Sequence, residues 1–254
     1  MKVTIHSDYT RYTAFLKTIP SLLEEGAGTC LHDGRNKVVL FQHEGVNMVA
    51  KKFKPANLVQ SIGYTFFRPT KAKRAFLYAA ELRKRGIDTP HEIAYFEEKV
   101  HGFFRHGWFV CQACAYPQVF PLLDAPAFFP EDLAAAVARH IALMHEKGIF
   151  FGDLNLGNFL FTQLEDGTYH FVMVDTNRSR FSSSALPLAT CIRNLRTVTH
   201  RRNLYTFILR QYAQARNLDE DFVLKQGLSS LDKFERAIAR KYFLKGLFKR
   251  KKNA

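Results

Sequence analysis

The sequence predicts an α+β protein with two lobes: an antiparallel sheet with one helix in residues 1–115, and a mainly helical lobe in residues 116–254. Short apolar runs joined by tight turns dominate the chain before residue 115. Segments with helical periodicity dominate it afterwards. No repeat or low-complexity linker separates the two parts, so we expect two lobes of one folded unit that join near Ala115 and Tyr116.

The predicted elements of the first lobe follow from turn signals and periodicity. Gly86 stops a run that is rich in helix formers. Gly102 and Gly107 mark a hairpin between two apolar runs. The elements are the strands Lys37–Gln42 and Asn47–Phe53, the helix Lys71–Arg85, and the strands Ile93–Glu97 and Trp108–Cys114.

The second lobe opens with a predicted helix, Pro130–Lys147, whose apolar residues recur at helical spacing. Pro130 suits the first turn of a helix, and Gly148 ends it. Beyond a strand at Phe171–Val174, periodic segments from Ile192 onward indicate further helices.

Composition excludes several classes of protein. With 254 residues, of which 47% are hydrophobic and 24% are charged, the chain is typical of a folded globular protein. No apolar run reaches the roughly 20 residues that span a bilayer. The first residues lack a signal-peptide pattern, and four cysteines make no disulfide framework, so we expect a cytoplasmic protein.

Three polar residues follow predicted strands in the second lobe. Asp153 comes after the apolar run that starts at Ile149, Asn158 lies five residues later, and Asp175 follows the strand Phe171–Val174. Phosphoryl transfer needs such a set: one carboxylate accepts the proton of the attacking hydroxyl, while a carboxylate and an amide oxygen hold Mg²⁺ on the nucleotide phosphates.

The pattern Asp153-Leu154-x-x-x-Asn158 followed by Asp175 resembles the protein-kinase-like fold, in which a catalytic loop D-L-x-x-x-N precedes a metal-binding Asp. More narrowly, the chain resembles the lipopolysaccharide core kinases of the Kdo/WaaP family. The segments that carry this resemblance include GRNKVVLF, VAKKFK, GIFFGDLNLGNFLF and VDTNRSRF. The resemblance implies a Gram-negative source and ATP-dependent phosphorylation of a Kdo or heptose sugar of the lipopolysaccharide inner core.

The resemblance also implies roles for individual residues of the second lobe. Asp153 is the expected catalytic base, and Asn158 and Asp175 are the expected Mg²⁺ ligands. Asn155 stands where protein kinases keep a lysine beside the transferred phosphoryl group. No A-P-E motif follows Asp175, which favours a small-molecule or glycolipid acceptor over a peptide.

The expected nucleotide-binding residues match the kinase motifs less closely than the residues of the expected catalytic loop do. Lys51 or Lys52 is the phosphate-binding lysine, and the family's pattern favours Lys51, which lies on the opposite strand face from Lys52. No G-x-G-x-x-G is present, and the turn that contains Gly34 and Arg35 is the candidate phosphate cover. Glu81 is the one acid on the predicted helix and the candidate partner of the lysine.

The net charge of +14 predicts an anionic partner. Residues 178–218 contain eight arginines and no acid, which suits an acidic glycolipid acceptor and argues against an aminoglycoside or choline kinase. A non-catalytic pseudokinase is the third hypothesis, which the intact Asp153, Asn158 and Asp175 disfavour. Nucleic acid is an unlikely partner, because no RNA-binding motif accompanies the basic residues.

The segment Arg236–Lys252 combines basic and apolar residues in the manner of interfacial helices. One hypothesis is peripheral binding to anionic membranes that is lost when residues 245–254 are deleted. The alternative is a helix packed on the second lobe with a solvated basic end.

Overall fold

The protein is described by a computed structural model that covers residues 1–124 and 128–250. Its contacts divide the chain into two compact units. The first consists of Met1–Pro117 with Val172–Ser179, and the second of Gln118–Phe171 with Arg180–Ala254.

The segment Val172–Ser179 groups with the first unit, whereas the sequence analysis includes it in the second lobe. Its backbone and side chains find partners there. The Met173 N–H donates to the Asp88 carbonyl at 2.7 Å, and the Thr176 hydroxyl donates to the Ala75 carbonyl at 3.4 Å. Sequence order alone does not show such long-range bonds.

The first unit is built on one six-stranded antiparallel sheet with the strand order β1-β5-β6-β4-β3-β2. This confirms the predicted antiparallel sheet. Its elements are β1 (Lys2–Ile5), α1 (Thr13–Glu25), β2 (Thr29–Asp33), β3 (Lys37–His43), β4 (Val46–Lys52), α2 (Leu58–Ile62), α3 (Lys71–Lys84), β5 (Glu92–Val100) and β6 (Phe103–Gln112).

The sequence analysis predicts one helix in this lobe, Lys71–Arg85, and it does not predict α1. Pro20 lies inside α1 and is buried, and a proline within an apolar run argues against a helix when only the sequence is read. Leu16 and Ile19 of α1 are fully buried in one cluster with Met48 and Ala50 of β4. Packing against the sheet therefore stabilises α1.

The elements after residue 117 are mainly helical, as predicted. Helices α5 and α7 pack against each other, and α7 packs against α8. The elements are α4 (Phe120–Leu123), α5 (Glu131–Glu146), β7 (Ile149–Phe150), β8 (Phe159–Gln163), β9 (Tyr169–Met173), β10 (Arg180–Phe181), α6 (Leu188–Leu195), α7 (Arg202–Ala215) and α8 (Glu220–Arg250). Among the described residues, no helix has the length and apolar character needed to cross a membrane.

Candidate active site

The loop from Gly152 to Asn158 presents its polar residues by alternation with buried ones. Leu154 and Leu156 are fully buried and fix the loop on the second unit. Asp153 precedes Leu154, Asn155 lies between the two leucines, and Asn158 follows Leu156. All three polar residues remain partly exposed. The sequence D-L-N-L-G-N thus places its carboxylate and both amides where they can reach a ligand.

Hydrogen bonds within the loop orient these polar groups. The Asn158 side-chain nitrogen donates to the Asp153 carbonyl at 2.7 Å, so the Asn158 amide oxygen points away from the backbone. The Asn155 side-chain nitrogen lies 3.4 Å from Asp153 Oδ1. Asn155 therefore orients the carboxylate of Asp153, and the Asn158 oxygen is available as a ligand.

A buried polar network holds the entry to this loop. The Asn194 side-chain nitrogen of α6 donates to the Phe151 carbonyl at 2.8 Å, and its oxygen accepts from His145 Nε2 of α5 at 3.2 Å. His145 Nδ1 accepts from the Tyr212 hydroxyl at 3.0 Å. These bonds need a neutral imidazole, and burial lowers the pKa of His145 to about 4. The network is a positioning device that sequence analysis did not identify, because its partners lie on separate helices.

In the first unit, the Lys51 ammonium lies 2.9 Å from Asp175 Oδ2. Both side chains are largely buried. Asp175 has φ 61° and ψ 49°, a left-handed conformation that is uncommon for a residue with a side chain. The buried amide of Asn177 donates to the other carboxylate oxygen, Oδ1. An outlying backbone conformation held by such contacts is typical of functional positions.

Strand alternation separates Lys51 from Lys52, as predicted. Lys52 pairs with Glu24 on α1, on the opposite face of β4. Ala50 shares that face and is fully buried in the core beneath α1. The structure therefore places Lys51, and not Lys52, beside Asp175.

The structure does not bring Glu81 to Lys51. Glu81 instead accepts from Arg85 Nε at 2.7 Å, because both residues lie on α3 at a spacing of one turn. Among the described ion pairs, the acid that contacts Lys51 is Asp175. The family resemblance does not predict that Lys51 contacts Asp175 instead of Glu81.

The turn with Gly34 and Arg35 connects β2 to β3, at the end of the sheet where Val38 pairs with Lys51. Arg35 also lies close enough to α3 to act on Lys71. The pKa of Lys71 is lowered by burial and then by the positive charges of Arg35, Arg178 and Arg74, while Asp175 opposes this shift. The predicted phosphate cover thus belongs to a cluster of cations in the first unit.

The arginines of residues 178–218 have different roles, which corrects the expectation that they form one acceptor surface. Arg202, Arg210 and Arg216 form ion pairs with acids of the second unit. Arg180 and Arg193 are exposed, and their guanidinium carbons lie 4.2 and 6.0 Å from the centroid of the Phe150 ring. These two cations lie beside Phe150, which precedes the loop that contains Asp153.

The residues present are chemically suited to Mg²⁺, which prefers hard oxygen ligands. The Asn158 amide nitrogen donates to the Asp153 carbonyl, so the oxygen on the other side of this amide is directed away from that carbonyl. A carboxylate offers about four lone-pair sites, and the Asp175 carboxylate accepts from Lys51 and Asn177. It therefore retains capacity for a cation.

These features define a phosphotransferase of the protein-kinase-like fold. They are a partly exposed Asp held by two amides, a lysine–aspartate pair at the end of an antiparallel sheet, and a mainly helical second unit. The model of the lipopolysaccharide kinase (Kdo/WaaP) family matches residues 41–187. This range is more than half of the chain, so the chain belongs to that family. It is therefore a lipopolysaccharide kinase that acts on an alcohol group, as the sequence motifs predicted.

The chain is also similar to two solved structures. WaaP in complex with acyl carrier protein is 16% identical, with a TM-score of 0.60 over 95% of this chain and 100% of that one. The Rio2 kinase–ADP/Mg²⁺-phosphoaspartate complex from Chaetomium thermophilum is 12% identical, with a TM-score of 0.46 over 89% and 76% of the two chains. No curated protein sequence matches the chain significantly.

Proposed function

We propose that this kinase transfers the γ-phosphoryl group of ATP to a hydroxyl of a Kdo or heptose residue in an acidic lipopolysaccharide core. The observation that carries the proposal is the geometry of Asp153. Asp153 is partly exposed in a loop that has kinase spacing. The Asn155 amide orients its carboxylate, and the Asn158 amide holds its backbone carbonyl. A general base must be held in this way to meet the hydroxyl of an acceptor.

In the proposed reaction, Asp153 accepts the proton of the sugar hydroxyl as that oxygen forms a bond to the γ-phosphorus. The bond from the γ-phosphorus to the β–γ bridging oxygen breaks, and ADP leaves with the electron pair. Lys51 would contact the nucleotide phosphates, and Asn158 and Asp175 would hold Mg²⁺. When bound, Mg²⁺ neutralises the charge that develops on the phosphate oxygens.

Two exposed arginines near the loop that contains Asp153 support the proposal that the acceptor is acidic. Arg180 and Arg193 form no ion pair among the described residues, and both are exposed near the catalytic loop. Arginine binds carboxylates and phosphates through two parallel hydrogen bonds. We assign these two arginines to the carboxylates or phosphates of the acceptor.

Purified protein, ATP, Mg²⁺ and defined core oligosaccharides test the proposal. We expect mass spectrometry to find one added phosphate on a Kdo or heptose residue, and none with the Asp153→Ala variant. The same comparison applies to lipopolysaccharide from cells with and without the gene. An unchanged phosphate count in both experiments would overturn the choice of acceptor.

We also propose that the kinase works in the cytoplasm, where ATP is supplied, and that it contacts the membrane peripherally. The basic segment Arg236–Lys252 is one candidate for this contact. The residues whose deletion tests it, 245–254, lie outside those whose side chains are described, so this hypothesis stays a prediction.

A further inference from the structure

An exposed apolar patch projects from the segment between β4 and α3 of the first unit. Four of its residues are strongly exposed: Leu58 (77%), Val59 (80%), Phe66 (66%) and Phe67 (82%). Phe103 at the start of β6 extends the patch, with its ring centroid 6.0 Å from that of Phe66. Contiguous exposed apolar surface of this kind marks an interaction site.

The backbone of the patch is held firmly. The Ser61 hydroxyl donates to the Phe104 carbonyl at 2.6 Å, and the Phe104 N–H donates to the Thr65 hydroxyl at 2.9 Å. The Asn57 side chain caps α2 by accepting from the Gln60 N–H at 2.9 Å. Because these bonds fix α2 and the π-helical turn Gly63–Phe67 on the β5–β6 hairpin, the phenylalanines face outward in the folded protein.

A groove of about 490 Å³ lies at the base of the patch, between α2 and the β5–β6 hairpin. Its walls are predominantly apolar and include Ala56, Ile62, Val100, Phe103 and Phe104. The apolar surface therefore continues from the exposed side chains into the fold.

The charges on the segment that carries most of the patch, residues 51–74, are of one sign. Residues 51–74 contain seven basic side chains and no acid. Lys54 and Arg68 are exposed, and the Arg68 guanidinium carbon lies 4.7 Å from the centroid of the Tyr64 ring. On β5, Glu97 accepts from the Thr70 hydroxyl, and Glu98 lies within 4.0 Å of His106. The patch thus combines protruding apolar side chains with nearby cations.

We propose that this patch docks the protein on the surface of an anionic bilayer. Phe66, Phe67 and Val59 enter the interfacial region, while Lys54 and Arg68 contact the lipid phosphates. Interfacial segments combine apolar and basic residues in this way. A second copy of this chain fits the patch less well than an anionic bilayer does. It would bring the basic residues of two 51–74 segments together, and neither segment contains an acid. The proposal goes beyond the phosphoryl transfer and does not depend on which sugar is the acceptor.

Sedimentation of the full-length chain with vesicles tests the proposal. We expect binding to phosphatidylcholine vesicles that contain phosphatidylglycerol at low salt, and weaker binding at high salt or to phosphatidylcholine alone. A double Phe66→Ser, Phe67→Ser variant should bind at least about tenfold more weakly, because apolar area drives insertion. Phe128→Ser is the matched control, since Phe128 is 90% exposed but belongs to the second unit.

A local probe separates this patch from the basic C-terminal segment, which could also bind vesicles. A Phe67→Trp variant should show a blue-shifted emission with anionic vesicles and quenching by brominated lipid. The natural tryptophan, Trp108, is buried and provides an unchanged background. Circular dichroism should show native melting for every variant, because the substituted side chains are exposed.

Three outcomes would overturn the proposal. The first is that the double variant binds anionic vesicles as the wild type does. The second is that the tryptophan at position 67 is not quenched by brominated lipid. The third is that light scattering shows a dimer that the double variant abolishes, without vesicle binding by either protein, which would assign the patch to a second copy.

Discussion

The side-chain amide of Asn177 donates a hydrogen bond to the carboxylate of Asp175, two residues earlier in the chain. Asn177 is 5% exposed, so this bond is sheltered from water. Lys51 contacts the other carboxylate oxygen at 2.9 Å. Asn177 therefore orients a proposed metal ligand without itself binding the cation.

Replacing Asn177 by Ala should raise the Mg²⁺ concentration for half-maximal activity by about tenfold, because the hydrogen bond that orients the Asp175 carboxylate is lost. Asp175→Asn should shift the midpoint at least as far, because it removes charge from a ligand. Mg²⁺-dependent thermal stabilisation measured with ADP provides a second readout. An unshifted midpoint in both variants would remove Asp175 from the metal site.

Asp153→Ala should lower turnover by roughly 10²–10⁴-fold, because a general base is lost. Asn155→Ala should have a smaller effect, since it removes only an orienting contact at 3.4 Å from Asp153 Oδ1. Asp153 is partly exposed, so the melting temperature should stay close to that of the wild type. Near-normal turnover by a folded Asp153→Ala protein would exclude this loop as the catalytic loop.

Lys51→Ala should strongly reduce kcat/KM for ATP, whereas Lys52→Ala should reduce it only mildly. Lys51 contacts Asp175, while Lys52 pairs with Glu24 of α1 on the opposite strand face. Steady-state kinetics with ATP as the varied substrate measures the difference, and each variant serves as the control for the other. If Lys52→Ala has the stronger effect, the assignment of the phosphate-binding lysine is wrong.

Arg180→Gln and Arg193→Gln should each raise KM for an acidic core acceptor by about tenfold, because a hydrogen bond to a charged group contributes about 1.5 kcal/mol. KM for ATP should not change. Arg210→Gln is the matched control, since Arg210 pairs with Glu220 at 3.0 Å and is partly exposed. Equal KM values for all three variants would exclude the assigned acceptor contacts.

The buried His145 predicts a loss of stability in acid. Its pKa is lowered from 6.5 to about 4 in the folded protein, so between these values the unfolded chain binds a proton that the folded chain does not. The free energy of unfolding should therefore fall as the pH drops from about 6.5 to about 4, by up to about 3 kcal/mol for this one group.

Urea unfolding at about pH 7 and about pH 5 measures this effect. His145→Gln should show a smaller difference between the two pH values, because glutamine does not titrate. The partly exposed His140, whose pKa desolvation likewise lowers to about 4, should contribute in the same direction. A pH dependence in His145→Gln equal to that of the wild type would contradict the assignment.

The sequence alone determined the features that depend on local pattern. Turn residues and alternation between apolar and polar positions predicted β3, β4, β5 and β6. The spacing of Asp153, Asn155 and Asn158 predicted that their polar groups lie together in one loop, and the structure shows why: the hydrogen bonds that shape this loop join residues no more than five positions apart. Spacing along the chain was therefore sufficient information.

Only the tertiary structure decided the contacts between distant segments. It brought Lys51 to Asp175, left Glu81 with its helical neighbour Arg85, and joined His145 through Asn194 to Phe151, just before the loop that contains Asp153. Such contacts depend on how strands and helices pack, and the sequence around one residue does not identify the distant residue that it contacts. An arginine-rich sequence likewise does not show which guanidinium groups pair with acids and which face a ligand, because packing alone assigns their partners.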